Sequence, residues 1–274
     1  MRSTLDYALR HSPAQAYFRR RAAGRLAVLA YHGVDDRDTF AHQLDHLVRV
    51  ARPVSLDDVI AAAYGRRPLE PRSVLITFDD GHRSVLDNAR PELTMRGIPA
   101  VAFLIAGSID SDEPFWWVEV EQLVAAGAGV GGVPADVAAG PPAVWVRWLK
   151  TVDDRVRRTV IDRLRMSASR PADRMPQLRG EELRTLETAG IRVGNHTLTH
   201  PCLDRCDTEA VRREIRDAHA VLSAALGRPP SAFAYPNGNW DGRAEVELEA
   251  AGYDVGFLFD HRLSAAPQAA PLRI

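Results

Sequence analysis

Two carboxylates stand side by side in Thr77-Phe78-Asp79-Asp80-Gly81, directly behind the apolar run Ser73-Val74-Leu75-Ile76. The run reads as a buried strand, on which neighbouring side chains point to opposite sides. Gly81 turns the chain here, so both acids can face one cleft. Like charges this close stay ionised cheaply only when a cation or a shared proton lies between them. The pair therefore predicts a metal-and-base site, which would need histidines to complete a metal shell.

Histidines of that kind are present. Ile191-Arg192-Val193-Gly194-Asn195 reads as a strand, and His196-Thr197-Leu198-Thr199-His200-Pro201 follows at once. Two histidines four apart on a helical turn share a face and can bind one ion. A third cluster, Phe233-Ala234-Tyr235-Pro236-Asn237-Gly238-Asn239-Trp240, again ends a strand. Pro236 and Gly238 shape a tight loop whose backbone amides can point into a cleft. Trp240 offers a flat apolar face of the kind that stacks on sugars. A fourth cluster, Tyr31-His32-Gly33, ends the first strand.

The elements that must position these groups alternate. Strands are predicted at about 26–31, 73–78, 99–105, 191–195, 231–235 and 253–259, with a last short one near Leu272. Helices are predicted at about 2–22, 38–51, 56–64, 83–96, 181–189, 207–226 and 242–251. This order predicts an α/β fold with a parallel sheet. A distorted (β/α) barrel with fewer than eight regular units fits better than an open sheet. Residues 106–180 break the rhythm with a short helix at 115–126, a Gly/Pro/Ala-rich loop at 127–142 and a long charged helix at 143–167. The expectation is one domain over residues 1–274 with a mostly helical insertion at about 106–180. All four chemical clusters then fall at the C-terminal ends of strands, the face where barrels place active sites.

Composition narrows the classes. Over 274 residues the chain is 46% hydrophobic and 26% charged with a net charge of −1, so no nucleic-acid partner is indicated. Residues 147–179 are locally basic and read either as a solvated helical face or as a docking surface for an anionic group. Lysine occurs once, as Lys150 in the charged helix, so Schiff-base chemistry is discounted. Cys202 and Cys206 read as cytosolic thiols, with zinc ligation beside His200 a lesser alternative. The loop Gly127 to Gly132 matches G-x-G-x-x-G but follows a helix, the wrong context for dinucleotide binding. No apolar run approaches the roughly 20 residues of a membrane span. Leu26 to Ala30 is too short for a signal sequence and leads straight into Tyr31-His32. The expected location is the cytoplasm, with peripheral membrane contact as an alternative.

Taken together, Thr77 to Gly81, His196 to Pro201 and Phe233 to Gly238 resemble the polysaccharide deacetylase family, carbohydrate esterase family 4, which carries the chitooligosaccharide deacetylase homology domain. The resemblance implies a distorted (β/α) barrel that hydrolyses an N-acetyl group on an amino sugar, glycan or glycoconjugate. It implies a divalent metal, Zn2+ first and Co2+, Mn2+ or Ni2+ as alternatives, held by Asp80, His196 and His200, with Asp79 as general base. It also implies an oxyanion held in part by a backbone N–H, here assigned to Asn237. Tyr235, Asn237 and Trp240 are the expected substrate contacts.

Two departures matter. The family's third motif usually carries an Arg after the Phe, paired with the catalytic Asp, and here that position is Ala234. The late Leu-x-His motif that usually supplies the acid is also missing; His261 lacks its pattern. A subgroup similar to poly-N-acetylglucosamine deacetylases begins with a Tyr-His motif and takes the acid from it, which makes His32 the expected general acid. Arg273, on the last predicted strand, is the expected substitute for the missing arginine beside Asp79. An O-deacetylase, a cyclic-amide hydrolase and a catalytically silent glycan-binding module are the competing readings.

Overall fold

A computed structural model describes residues 22–260, 262–264 and 267–274. The helix expected over 2–22 lies outside the described residues save its last position, as does His261. The strands are β1 (Ala27–Tyr31), β2 (Arg52–Pro53), β3 (Ser73–Phe78), β4 (Ala100–Leu104), β5 (Ile191–Asn195), β6 (Ala232–Ala234) and β7 (Val255–Phe257). They form one parallel sheet in the order β1-β3-β4-β5-β6-β7, with β2 paired to the start of β3. The helices are α1 (Arg37–Val50), α2 (Leu56–Ala63), α3 (Arg90–Arg96), α4 (Trp116–Ala125), α5 (Ala135–Ala138), α6 (Pro142–Leu149), α7 (Asp154–Ser167), α8 (Gly180–Thr188), α9 (Thr208–Leu226) and α10 (Gly242–Ala250). The sheet curls into a distorted (β/α) barrel. An antiparallel bridge between Leu26 and Ser264 ties the chain beyond β7 back to the start of β1.

Local chemistry sets the helix ends. Asp36 accepts from the N–H groups of Asp38 and Thr39 at the start of α1, and Ser55 and Asp58 form a reciprocal capping box on α2. Gly97 and Gly227 close α3 and α9 in the left-handed conformation that glycine adopts without steric cost.

The period-2 alternation of the strands sorts side chains between two cores. Leu75, Val101, Phe103, Ala232, Ala234, Val255 and Phe257 share the inner core, which α2 covers. Ile76, Phe78, Ala102, Leu104 and Val193 face outward under α1, α3, α8 and α9. Phe233 and Tyr235 also face outward, into a third cluster under α9 and α10. The same parity sends Asp79 and His196 inward, because the ladder continues through both. The Asp79 N–H donates to the Tyr31 carbonyl at 2.8 Å and the His196 N–H to the Leu104 carbonyl at 2.9 Å.

Gly194, between β4 and β6, shows how tightly this region is built. A Cβ there would lie 2.5 Å from the Phe103 ring and 3.0 Å from the Ala232 carbonyl oxygen. Overpacking of a filled core of this kind costs about 1–3 kcal/mol. Gly194→Ala is therefore expected to lower unfolding free energy by that amount in a denaturant titration; an unchanged midpoint would show that Phe103 has room to move.

Between β4 and β5, helices α4, α6 and α7 enclose a cluster of their own that includes Val120, Leu123, Trp145, Leu149, Ile161 and Leu164. The long helix expected over 143–167 is two helices. α6 stops at Lys150, and Asp153 caps α7 by accepting from the Arg155 N–H at 2.8 Å. The expected last strand is instead a 3-10 turn, Pro271–Arg273, after which Ile274 pairs with β7 through Gly256 and Leu258.

Candidate active site

Asp79, Asp80, His196, His200, His32 and Asn237 line one cleft of about 290 Å3 at the C-terminal ends of the strands. Parity alone would send Asp80 outward. It turns inward because its φ is +69°, a left-handed conformation that the following Gly81, at +86°, continues. The histidine segment likewise departs from the expected helical turn. Thr197 and His200 have φ of +69° and +56°, and the chain reverses so that both imidazoles reach Asp80. Among the described residues, Asp80, Thr197, His200 and Asn237 are four of the six non-glycine residues with positive φ. Strain of this kind costs on the order of 1–3 kcal/mol per residue and persists where surrounding contacts enforce it.

Those contacts are present. The Glu214 carboxylate accepts from the backbone N–H groups of Leu198 and Thr199, at 3.0 and 2.8 Å, and from the Thr199 hydroxyl at 2.6 Å. Asn195 Oδ1 accepts from the Thr197 N–H, and Thr197 Oγ1 accepts from the His200 N–H. Trp116 Nε1 donates to the His200 carbonyl from α4.

Asp80, His196 and His200 are buried, and their donor atoms lie within 4.8 Å of one another. The Nε2 atoms of His196 and His200 are 3.6 and 3.4 Å from Asp80 Oδ1. His196 Nδ1 bonds the Ala234 carbonyl at 2.8 Å as a donor, which leaves the lone pair on Nε2, facing Asp80. Asp80 Oδ1 is buried without a hydrogen-bond partner among the described residues. An orphaned carboxylate oxygen facing two imidazole nitrogens fits a tetrahedral metal site with room for further ligands. Burial pushes Asp80 up to about 6, against the pull of His196. Burial pushes Asp79 up to about 6 as well, with His32 acting the other way. Burial lowers the pKa of both His196 and His200, so both favour the neutral, ligating form.

Several expected contacts lie elsewhere. Arg273 does not approach Asp79. The 3-10 turn carries it to the outer side, where it pairs with Glu245 at 2.6 Å and lies 4.2 Å over the Trp240 ring. Trp240 does not line the cleft; its Nε1 donates to Glu245 at 2.6 Å, because the chain has already turned toward the start of α10. Tyr235 borders the cleft, but strand parity buries its ring outward, edge-on to Phe233 at 5.0 Å. Cys202 and Cys206 are free, buried thiols outside the metal-competent group. The basic stretch is largely neutralised. Arg158 pairs with Asp154 and Glu214, Arg165 with Glu119, Arg179 with Asp112 and Arg155 with Asp207.

Two residues near the metal-competent group, Lys150 and His82, were not anticipated from sequence. Lys150, at the end of α6, lines the cleft, and its Nζ donates to Asn237 Oδ1 at 2.7 Å. His82 Nε2 lies 4.0 Å from the second Asp80 oxygen. Trp117 lines the cleft too, its ring 4.7 Å from that of His200.

The polysaccharide deacetylase family model matches residues 66–132 and 157–256, which include Asp79, Asp80, His196 and His200. The chain belongs to the polysaccharide deacetylase family. Among curated proteins, a chitooligosaccharide deacetylase of Rhizobium leguminosarum bv. trifolii is 42% identical over 43 residues, which is 16% of this chain and 20% of that protein. The chain thus matches only a fifth of that relative's length. Among solved structures, IcaB from Ammonifex degensii is similar with a TM-score of 0.61 and 23% identity, covering 92% of this chain and 90% of that one. The Streptococcus pyogenes deacetylase PplD in complex with acetate is similar with a TM-score of 0.61 and 16% identity, covering 91% and 89%. These structural likenesses establish the fold of this polysaccharide deacetylase family member. No helix among its described residues is long and apolar enough to cross a membrane.

Proposed function

We propose that this family member is a metal-dependent hydrolase that removes an N-acetyl group from an amino-sugar-containing substrate. The observation that carries the reading is the placement of Asp79 in the same cleft as the buried Asp80–His196–His200 group. A divalent ion there, Zn2+ by the nitrogen-rich donor set, would supply Lewis acidity and acidify a water. Asp79 takes the proton of that water as it attacks the acetyl carbon. The backbone N–H of Asn237 faces the oxyanion, and His32 gives its proton to the departing amine. The matched relative is a chitooligosaccharide deacetylase, in line with such a substrate. Residues of about 106–180 are read as an insertion in a single barrel domain that supplies one wall of the cleft through Trp117 and Lys150.

The test is acetate release by the zinc-loaded protein from a panel of N-acetylated amino sugars, with O-acetyl esters and cyclic amides in parallel. Release from esters alone would replace the reading with an O-deacetylase. Turnover of cyclic amides alone would make it a cyclic-amide hydrolase, and none from a metal-loaded protein would make it a binding module. His32→Ala is expected to retain zinc and lose about 100-fold in kcat, the lower range for a general acid. Unchanged turnover would remove His32 from the mechanism.

A further inference from the structure

Of the 35 Lys and Arg residues in this chain, one is a lysine. That lysine, Lys150, ends α6 and reaches the cleft that holds Asp79, Asp80, His196 and His200. A cation in this place works against the rest of the site. It opposes a metal ion electrostatically, and its field is felt at both Asp80 and His200. Arginine and lysine also differ in what they recognise. Arg forms a planar fork suited to bidentate pairing, whereas Lys carries a compact charge that can concentrate on one oxygen. A chain that uses Arg at all its other cationic positions uses the compact cation here.

The ammonium is positioned. Asn237 Oδ1 is its one hydrogen-bond acceptor among the described residues, at 2.7 Å. The Asn237 amide is anchored at its other end, where Nδ2 donates to Cys202 Sγ at 3.3 Å. An ammonium has three N–H groups, so two remain after Asn237 is satisfied. When Asp79 takes the water proton, its negative charge passes to the acetyl oxygen, and the Lys150 cation in the same cleft favours that shift.

Resting on the deacetylase reading, we propose that Lys150 is a catalytic residue whose ammonium donates a hydrogen bond to the acetyl oxygen as that oxygen becomes negative. The water oxygen bonds to the acetyl carbon, and the carbonyl electron pair moves onto the oxygen beside Lys150. Asp79 holds the water proton. On collapse the C–N bond breaks, its electron pair stays with nitrogen, and His32 supplies the proton. The free amine leaves, the second water proton passes from acetic acid to the now neutral His32, Asp79 returns its proton to solvent, and the acetate so formed still carries the charge that Lys150 binds.

The single lysine makes the test selective. Reductive methylation with 13C-formaldehyde labels Lys150 and the terminal amine only, and Lys150→Met identifies which NMR signal is which. Acetate titrated into the zinc-loaded protein is expected to move the Lys150 signal saturably. Lys150→Met, which keeps the aliphatic stem, is expected to bind acetate about 10-fold more weakly and to keep its zinc. Its kcat should fall about 100-fold, the scale of one lost oxyanion donor, with KM nearly unchanged. Lys150→Arg should recover part of that loss. A Lys150 signal indifferent to acetate overturns the proposal whether or not any variant folds. So does a Lys150→Met protein that loses only KM. Absence of turnover on every N-acetyl substrate would instead defeat the deacetylase reading, and the acetate titration would still report on Lys150.

Discussion

Asp79→Asn is expected to lose about 10³-fold in kcat, the middle of the range for a general base, while holding as much zinc as the unaltered protein. Asparagine keeps the shape and the burial but cannot take a proton. The loss should appear in kcat more than in KM, because proton transfer belongs to the transition state. The structure separates this residue from its neighbour. Asp80 reaches the two imidazoles through its left-handed turn, whereas Asp79 continues the β3 ladder. His200→Ala should therefore lose zinc and turnover together, and Asp79→Asn turnover alone. Burial holds Asp79 up at about 6 without a metal, and a bound cation pulls it lower. The acid limb of kcat/KM should therefore lie at or below that value and disappear in the variant. Activity within 10-fold of the unaltered protein would assign the base elsewhere.

What the sequence disclosed about this site follows from strand parity. Asp79 and His196 are legible because each extends a strand whose alternation is plain in Leu75, Ile76 and Phe78 or in Ile191 and Val193. Asp80 is legible because Gly81 signals the turn. Tyr235 follows the same rule: Phe233 and Tyr235 share a parity opposite to Ala232 and Ala234, so Tyr235 borders the cleft with its ring turned outward. Arg273 was misplaced because a 3-10 turn, rather than a strand, carries it, and a proline two residues earlier was the only local sign. Lys150 was missed because α6 and α7 read as one helix. The acid pair Asp153-Asp154, a helix-start signal, marks the break that frees Lys150 to enter the cleft. Glu214 had no sequence signal, because its partners lie across the fold on the histidine loop.

Zinc is expected to stabilise the protein by about 4 kcal/mol when present at a thousand times its dissociation constant, and by clearly less at pH 5 than at pH 7. The proton that must leave is on Asp80. Its folded pKa of about 6 lies above the unfolded value, so its protonation favours the folded state below about pH 4. That contribution is lost as pH rises through 6, leaving a buried charge that zinc then neutralises. Burial lowers His196 and His200, so both favour the neutral, ligating form as well. The same histidines, with His82 and His219, have an opposite sign in the metal-free protein. Their folded pKa values are lowered, so they favour folding above the unfolded value and disfavour it as pH falls. The net slope of the metal-free protein therefore mixes two trends, and a variant separates them. Asp80→Asn removes only the contribution of Asp80 and leaves that of Asp79, which burial raises likewise. Without metal it should be more stable than the unaltered protein at pH 7, by on the order of 1–3 kcal/mol for a buried charge removed, and much closer to it at pH 4. It should gain nothing from zinc at either pH. Calorimetric melts at pH 4, 5 and 7, with chelator and with zinc, decide the point. A zinc-induced shift of equal size at pH 5 and 7 would mean that Asp80 does not give up a proton to hold the ion.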